Sequence, residues 1–260
     1  MSTGLSFDPA LSSKLEAQYT RPAMVLRRAK ALELAHPNLG EDVLDIGCGP
    51  GFLTADLGAG VGEGGSVSGI DQSESMLELA TRRCEHQSGI RIEAGDAVDL
   101  GGEDERFDLV VSTQVLEYVA DVDRALSEIA RVLRPGGRAL LLATDWRSVA
   151  WHSNDDARMN RILAAWEEHL AHPALPRTLR KRLADVELRV SRLERYSILE
   201  DGTDQTGFST MLIGTLRGFA PGRLGITEEE ANAWADDQES LRANGGFYFS
   251  IGQYFFSVER

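Results

Sequence analysis

The chain has 260 residues, with 27 Lys and Arg against 41 Asp and Glu, which gives a formal net charge of −14 at pH 7. This charge repels phosphate backbones and argues against DNA or bulk RNA as a partner. With only two cysteines, Cys48 and Cys84, a disulfide framework is not expected. The N-terminus lacks a signal-peptide pattern, and no apolar run approaches the roughly 20 residues of a membrane span. These features predict a cytoplasmic protein with no membrane partner.

The first half of the chain shows alternating strand and helix patterns. Residues 12–35 have helical periodicity that Pro22 interrupts, which predicts an arm or short helix followed by a second helix. Strands are predicted at 43–46, 66–70, 90–94, 107–112 and 138–143, with helices at 52–58, 73–85 and 121–133. Apolar strands that alternate with helices are typical of a parallel sheet covered on both faces. The pattern therefore predicts a doubly wound α/β sheet.

After Thr144 the alternation stops. Helices are predicted at 151–170, 175–184, 208–219 and 227–243, with strands within 186–199 and at 247–258. Helices inserted around two late strands predict a helical cap above the sheet. We therefore divide the chain into an N-terminal helical arm (1–40), a ligand-binding core (41–145) and a cap with closing strands (146–260). Thirteen of the eighteen aromatic residues lie in this last part, which fits either an apolar pocket or ordinary core packing.

A glycine-rich turn follows the first predicted strand, in the sequence VLDIGCGPG from Val43 to Gly51. Glycines permit positive φ and let a ligand approach the backbone closely. The helix that follows offers free N–H groups and a partial positive charge, which suit a carboxylate or a phosphate. Strand–turn–helix units of this kind also occur as purely structural turns, so the motif alone does not distinguish a ligand site from a structural turn.

Acidic residues at or near the ends of the predicted strands limit which classes of ligand could bind there. Asp71 ends the second strand, where a carboxylate can accept hydrogen bonds from both hydroxyls of a ribose. NAD and S-adenosylmethionine both satisfy this requirement. The G-x-G-x-G spacing differs from the dinucleotide pattern, and Asp45 can meet a cationic α-amino group but would repel a pyrophosphate. These features favour S-adenosylmethionine, whose adenine amino group Asp96 could bind.

Five motifs occur in order: VLDIGCGPG, GIDQS, AGDA, FDLVVS and LRPGGR. Together they resemble the class I S-adenosylmethionine-dependent methyltransferases, in particular the branch that includes the ubiquinone and menaquinone C-methyltransferases. The resemblance covers 41–144. It implies a Rossmann-like fold with a mostly parallel, seven-stranded sheet.

The resemblance also implies a set of cofactor-binding residues. They are Tyr19, Asp45, Gly47, Cys48, Gly49, Asp71, Gln72, Met76, Asp96, Ala97 and Gln114. In this family the glycine turn contacts the methionine part through its backbone, Asp71 holds the ribose beside Gln72, and Met76 packs on the adenine. Asp96 and Ala97 contact the adenine as well, and Gln114 faces the sulfonium.

Two positions are less clear in the resemblance. Tyr19 would close over the cofactor carboxylate, although it could equally be a surface aromatic residue in a mobile arm. Many relatives carry a histidine near Glu117 and Tyr118. Its absence here leaves open whether any role is inherited at that position.

Methyl transfer is an in-line displacement, for which the protein mainly aligns the acceptor and excludes water. A general base is needed only if the acceptor must lose a proton. Asp145 and His152, after the fifth predicted strand, are the candidate catalytic bases, and Trp146 and Trp151 could form walls of the acceptor site. The alternatives are an exposed loop aspartate, a surface histidine and core tryptophans. No metal-ligand spacing occurs, so no metal is expected.

His169 and His172 are predicted to lie at the surface. The basic run 177–195 fits either a site for an anionic acceptor or a solvated face.

The leading hypothesis is an enzyme that methylates a small organic acceptor, apolar or aromatic, and releases S-adenosylhomocysteine. The alternatives are a non-catalytic adenosylmethionine-binding or regulatory module and an NAD-dependent oxidoreductase.

Overall fold

The computed structural model describes Glu16, 19–204 and 206–260. Of the predicted N-terminal arm (1–40), residues 1–15, 17 and 18 therefore lie outside the described residues. The first described helix, α1 (Pro22–Ala35), carries its proline in the first turn. Proline suits this position because the N–H that it lacks would have no partner there. The helix boundary at Pro22 agrees with the sequence prediction.

The strands are β1 (Asp42–Ile46), β2 (Ser66–Asp71), β3 (Ile90–Ala94), β4 (Phe107–Thr113), β5 (Leu133–Trp151), β6 (Arg189–Glu200) and β7 (Phe249–Glu259). They form one sheet in the order β3-β2-β1-β4-β5-β7-β6. Strands β1 to β5 pair in parallel, whereas β7 runs antiparallel to both β5 and β6. The prediction of a mostly parallel, doubly wound, seven-stranded sheet is confirmed.

The other helices are α2 (Phe52–Val61), α3 (Glu74–Cys84), α4 (Val122–Val132), α5 (Asp156–Glu167), α6 (Pro176–Asp185), α7 (Phe208–Phe219) and α8 (Glu228–Asn244). Four of them, α3, α4, α5 and α8, begin at side-chain caps; for example, Ser73 accepts the Met76 N–H and Asp121 accepts the Arg124 N–H. Helices α5 and α6 lie between β5 and β6, and α7 and α8 lie between β6 and β7. The predicted helical insertion around the last two strands is confirmed.

Alternation along the strands explains how the sheet is covered. In β4, Leu109 and Val111 belong to a buried cluster that contains residues of α1 and α2. Val110 points to the other face and joins a cluster with residues of α4 and α6. A third buried cluster lies among the helices of the cap. The sheet thus has a core on each face, and the cap has a core of its own.

Strand β5 differs most from its prediction, because it extends well beyond 138–143. Its antiparallel pairing with β7 continues through Thr144 and, after an irregularity, to Trp151 opposite Phe249. Asp145 and Trp151 therefore lie in a strand and not in a loop. The helix predicted from residue 151 begins at Asp156, where Asp155 caps it.

In the part of the chain that the structure describes, no helix has both the length and the apolar composition needed to cross a bilayer.

Candidate active site

A cavity of about 1060 Å³ opens at the carboxyl ends of β1, β2 and β4, which is where ligands of open α/β sheets bind. Of the residues predicted to contact the cofactor, nine line it: Tyr19, Gly47, Gly49, Asp71, Gln72, Met76, Asp96, Ala97 and Gln114. The other two, Asp45 and Cys48, line a pocket of about 40 Å³ that shares Tyr19 and Gly47 with the cavity. All the predicted cofactor residues therefore meet at one edge of the sheet.

The glycine turn after β1 has a backbone conformation in which any residue other than glycine would be strained. Gly47, Gly49 and Gly51 have φ of 69°, 53° and 79°, in the left-handed region that favours glycine. A Cβ at Gly47 would collide with the Val115 side chain, and one at Gly51 would lie 2.8 Å from Ala80 Cα. The glycines are needed both for the backbone turn and for close packing around it.

Asp71 is held between two elements of the site. One carboxylate oxygen accepts the Gly49 N–H at 2.9 Å, and the other accepts the Ser73 N–H at 2.9 Å. The side chain is thus fixed between the glycine turn and the start of α3. Because each carboxylate oxygen has two acceptor positions, the group can still accept hydrogen bonds from a ligand in the cavity.

Asp45 lies in β1, immediately before the turn, and is only 1% exposed. It accepts a hydrogen bond from the Thr54 hydroxyl at 2.7 Å. Burial raises the pKa of Asp45 to about 7, an effect that the Thr54 hydrogen bond opposes and the nearby Asp71 charge reinforces. Burial also raises the pKa of the Cys48 thiol, which keeps it protonated and unreactive.

Arg27 is a cavity residue that the sequence analysis missed. It is 8% exposed, lines both the cavity and the smaller pocket, and donates a hydrogen bond to Gln114 Oε1. It forms no ion pair with any residue that the structure describes. The signal was present in α1, where Arg27 shares the buried stripe of Met24 and Ala31. A cation on such a stripe indicates a buried anionic partner or ligand.

Gln114 and Tyr19 are held close to Arg27. Gln114 follows β4 with a φ of 58° and donates through Nε2 to Thr144 Oγ1 at 2.8 Å. Tyr19 stacks on Phe52 with 5.9 Å between ring centroids, and burial raises the pKa of its hydroxyl. The structure thus places Tyr19 beside the glycine turn and not on the outer surface.

The two predicted catalytic bases, Asp145 and His152, do not line the cavity. Asp145 is buried and accepts a hydrogen bond from Arg177 Nε at 2.8 Å. His152 is exposed, and its backbone N–H donates to the Tyr248 carbonyl. Their placement follows from the extension of β5 along β7, which the sequence analysis did not foresee. The structure therefore does not bring these side chains to the cofactor residues.

The basic run also lies away from the cavity, and most of its charges are paired to carboxylates. Arg177 pairs with Asp145, Lys181 with Asp185, and Arg182 with Asp123. These pairs favour the solvated face over a site for an anionic acceptor.

The cap aromatics divide into two groups. Trp146, Trp166 and Phe208 line the cavity, together with Met211. Trp151 packs in edge contacts on Trp234, Phe247 and Phe249, and it lines neither the cavity nor the smaller pocket. The first group can contact an acceptor, whereas Trp151 and Trp234 are core residues.

His169 corrects a sequence prediction, because it is not at the surface. It is only 6% exposed and lines the cavity between the rings of Trp166 and Phe219, with ring centroids 3.8 Å and 5.4 Å away. Burial lowers the pKa of His169 to about 4. The side chain is thus a neutral imidazole at physiological pH.

The model of the methyltransferase domain family matches residues 44–141. This segment, less than half of the chain, is similar to the class I S-adenosylmethionine-dependent methyltransferases. A demethylmenaquinone methyltransferase of Staphylococcus haemolyticus is 38% identical over 117 residues, which are 45% of this chain and 49% of that protein. The chain spans about half or less of the length of the curated relatives that it matches.

Two solved structures share the fold of the methyltransferase domain and its cap. A proposed methyltransferase of Bacillus halodurans C-125 has a TM-score of 0.65 at 19% identity, over 89% of this chain and 97% of that one. Phosphoethanolamine N-methyltransferase 2 of Haemonchus contortus, in complex with S-adenosyl-L-methionine, has a TM-score of 0.63 at 17% identity, over 97% of this chain and 57% of that one. The resemblance drawn from the five motifs is confirmed.

Proposed function

We propose that this chain transfers a methyl group from S-adenosylmethionine to a small organic acceptor and releases S-adenosylhomocysteine. The observation that carries the proposal is that one cavity is lined both by the cofactor motifs and by aromatic side chains of the cap. Typical small-molecule pockets have volumes of about 300–1,000 Å³. A cavity of about 1060 Å³ leaves room for an acceptor beside the cofactor.

The charges at the inner end of the site fit the amino-acid part of the cofactor. Arg27 and Asp45 are both buried and line the same small pocket beside Gly47. We assign Arg27 to the α-carboxylate and Asp45 to the α-amino group, because a buried cation and a buried carboxylate match a zwitterion. Asp45 also disfavours NAD, because its carboxylate would repel a pyrophosphate.

We assign the other cofactor contacts to the residues that the resemblance implies. We assign the ribose hydroxyls to Asp71, with Gln72 beside them, and the adenine to Met76, Asp96 and Ala97. When bound, S-adenosylmethionine supplies a methyl group that is already electrophilic on its sulfonium sulfur. The core 41–145 binds the cofactor, Tyr19 and Arg27 from the described part of the arm 1–40 contact it, and the cap within 146–260 contacts the acceptor.

The residues that the structure describes contribute mainly alignment and exclusion of water. Trp146, Trp166 and Phe208 enclose the acceptor side of the cavity, which would hold an apolar or aromatic molecule against the cofactor. The name of the demethylmenaquinone methyltransferase relative supports a small-molecule acceptor. The enclosed space beyond the cofactor residues favours turnover over a non-catalytic binding module.

Ligand-dependent melting tests the proposed cofactor. S-adenosylmethionine and S-adenosylhomocysteine should both raise the Tm, whereas NAD should not. At a ligand concentration of 100 times the Kd, binding should stabilise the folded state by about 2.7 kcal/mol. Differential scanning fluorimetry measures all three ligands on one plate. Stabilisation by NAD without stabilisation by either adenosyl ligand would overturn the assignment.

Cofactor affinity should depend on pH through Asp45. Because burial raises the pKa of this carboxyl to about 7, the free protein holds it protonated at pH 6 and ionised at pH 8. Only the ionised form attracts a cationic α-amino group, so S-adenosylhomocysteine affinity should rise roughly tenfold between these pH values.

Asp45→Asn is the matched control for this pH effect. It should bind S-adenosylhomocysteine with an affinity that changes little between pH 6 and pH 8. The control is needed because burial also raises the pKa of Glu117 to about 7. Calorimetric titrations in which the variant keeps the wild-type pH dependence would assign the effect to another group.

A further inference from the structure

Tyr118 offers a large ring surface to the cavity. We define the acceptor wall as six cavity-lining side chains outside the cofactor motifs: Tyr118, Trp146, Trp166, His169, Phe208 and Met211. The other four rings of this wall are only 5–7% exposed, so a ligand can reach little of them. Tyr118 is 41% exposed. It is therefore the ring of the acceptor wall that a bound molecule can contact most extensively.

The orientation of Tyr118 follows from the short 3₁₀ helix Leu116–Tyr118, in which it is the last residue. Such a helix has three residues per turn, so successive side chains point about 120° apart. Leu116 and Glu117 are 2% and 0% exposed, which shows that they point into the protein. The third direction is left to Tyr118, which lines the cavity.

The open surface of Tyr118 lies inside the cavity and not on the outside of the molecule. Burial raises the pKa of the Tyr118 hydroxyl, an effect that nearby Glu117 and Tyr19 reinforce and Arg27 opposes. Tyr19 and Arg27 line the same cavity. A side chain that is enclosed by protein and yet 41% exposed has its accessible surface directed into the enclosed space.

The ring of Tyr118 has a fixed neighbour but an uncovered face. Its centroid lies 5.6 Å from that of His169, with 44° between the ring planes. His169 is itself held by the rings of Trp166 and Phe219. A tilted contact of this kind supports the ring without covering its face. The ring is thus positioned in advance for a flat ligand, which lowers the entropic cost of binding.

We propose that Tyr118 is the stacking surface for the acceptor, and that the acceptor is a planar aromatic molecule. The inference rests on the proposed function, which it narrows from an apolar or aromatic acceptor to an aromatic one. Aromatic pairs in offset-stacked or edge-to-face contact attract each other more strongly than their buried area accounts for. A saturated molecule of the same size gains only the contribution of buried area. Tyr118 is therefore a residue that determines acceptor specificity.

The test compares 2-naphthol with its fully saturated analogue, 2-decalol, as ligands of the S-adenosylhomocysteine complex. Fluorescence titration measures 2-naphthol directly and 2-decalol as its competitor. The affinity for 2-naphthol divided by that for 2-decalol should be roughly twofold to twelvefold lower in Tyr118→Leu than in the wild-type protein, because leucine is apolar but has no ring. Comparing this ratio between proteins cancels the difference in hydrophobicity between the two ligands.

Three further variants control the comparison. Tyr118→Phe keeps the ring and should keep the wild-type ratio, whereas Tyr118→Ile, a second variant without a ring, should behave like Tyr118→Leu. Tyr248→Leu is the matched control, because Tyr248 is 45% exposed and lines neither the cavity nor the smaller pocket. It should leave the ratio unchanged. The Tm and the S-adenosylhomocysteine affinity, measured on every variant, should stay close to the wild-type values.

The inference is overturned if the ratio is unchanged in Tyr118→Leu and Tyr118→Ile, or if the wild-type complex does not bind 2-naphthol. A ratio that falls equally in Tyr118→Phe would assign the effect to the hydroxyl and also overturn stacking. Because cofactor binding is measured separately, the inference can fail while the proposed function stands. A wild-type protein that did not bind S-adenosylhomocysteine would instead remove the proposed function.

Discussion

Asp71→Ala is expected to weaken S-adenosylhomocysteine binding by roughly 10²–10⁴-fold. The side chain lines the cavity and is held in place by the N–H groups of Gly49 and Ser73. We assign it two hydrogen bonds to ribose hydroxyls, and hydrogen bonds to a charged group contribute about 1.5–3 kcal/mol each. Two such bonds amount to about 3–6 kcal/mol, where about 1.4 kcal/mol is tenfold in Kd.

Asp99→Ala is the matched control, because it removes the same group from the loop after Asp96. Asp99 is exposed and does not line the cavity, so its loss should change the Kd less than about twofold. Isothermal titration of both variants with S-adenosylhomocysteine gives the comparison. Equal affinities for the two variants would show that Asp71 does not hold the ribose.

The cofactor half of the site could be predicted because its signals are local in sequence. The turn after β1 is encoded in nine consecutive residues, Asp71 ends the short strand β2, and Asp96 follows the short strand β3. In a parallel sheet the carboxyl ends of such strands meet at one edge. Local patterns and topology together therefore placed these residues in a common cavity without any knowledge of distant contacts.

The acceptor half could not be predicted in the same way, since its burial depends on segments far apart in the chain. His169 has the charged neighbours Glu167 and Glu168, which is typical of a surface helix end. It is buried because Trp146 and Phe219, from β5 and α7, pack against it. The extension of β5 likewise depends on β7, which begins almost 100 residues later.

Arg27 shows that a local signal can also be misinterpreted. The helical spacing of α1 places Arg27 on the same buried stripe as Met24 and Ala31. A buried guanidinium without a close ion pair in the described residues is costly unless a ligand or a nearby buried carboxylate such as Glu117 supplies negative charge. Charged residues on a predicted buried stripe therefore merit the same weight as motif residues.

Core aromatics and cavity residues should respond differently to truncation. Trp151→Ala should lower the free energy of unfolding by about 3–5 kcal/mol, because it leaves a cavity among Trp234, Phe247 and Phe249. Urea unfolding of the ligand-free protein measures this loss directly. It should also lower the Tm by several degrees.

Met211→Ala is the matched cavity variant from the same cap. Met211 is half-buried and lines the cavity, so its truncation should cost less stability than that of Trp151. It should weaken binding of 2-naphthol to the S-adenosylhomocysteine complex by roughly fivefold to thirtyfold, the effect of losing about 1–2 kcal/mol of apolar contact. Cofactor affinity should stay within about twofold, because Met211 lies on the cap side of the cavity and not among the cofactor motifs. If Trp151→Ala instead left stability intact and weakened only 2-naphthol binding, Trp151 would belong to the acceptor wall and the division between core and cavity would be wrong.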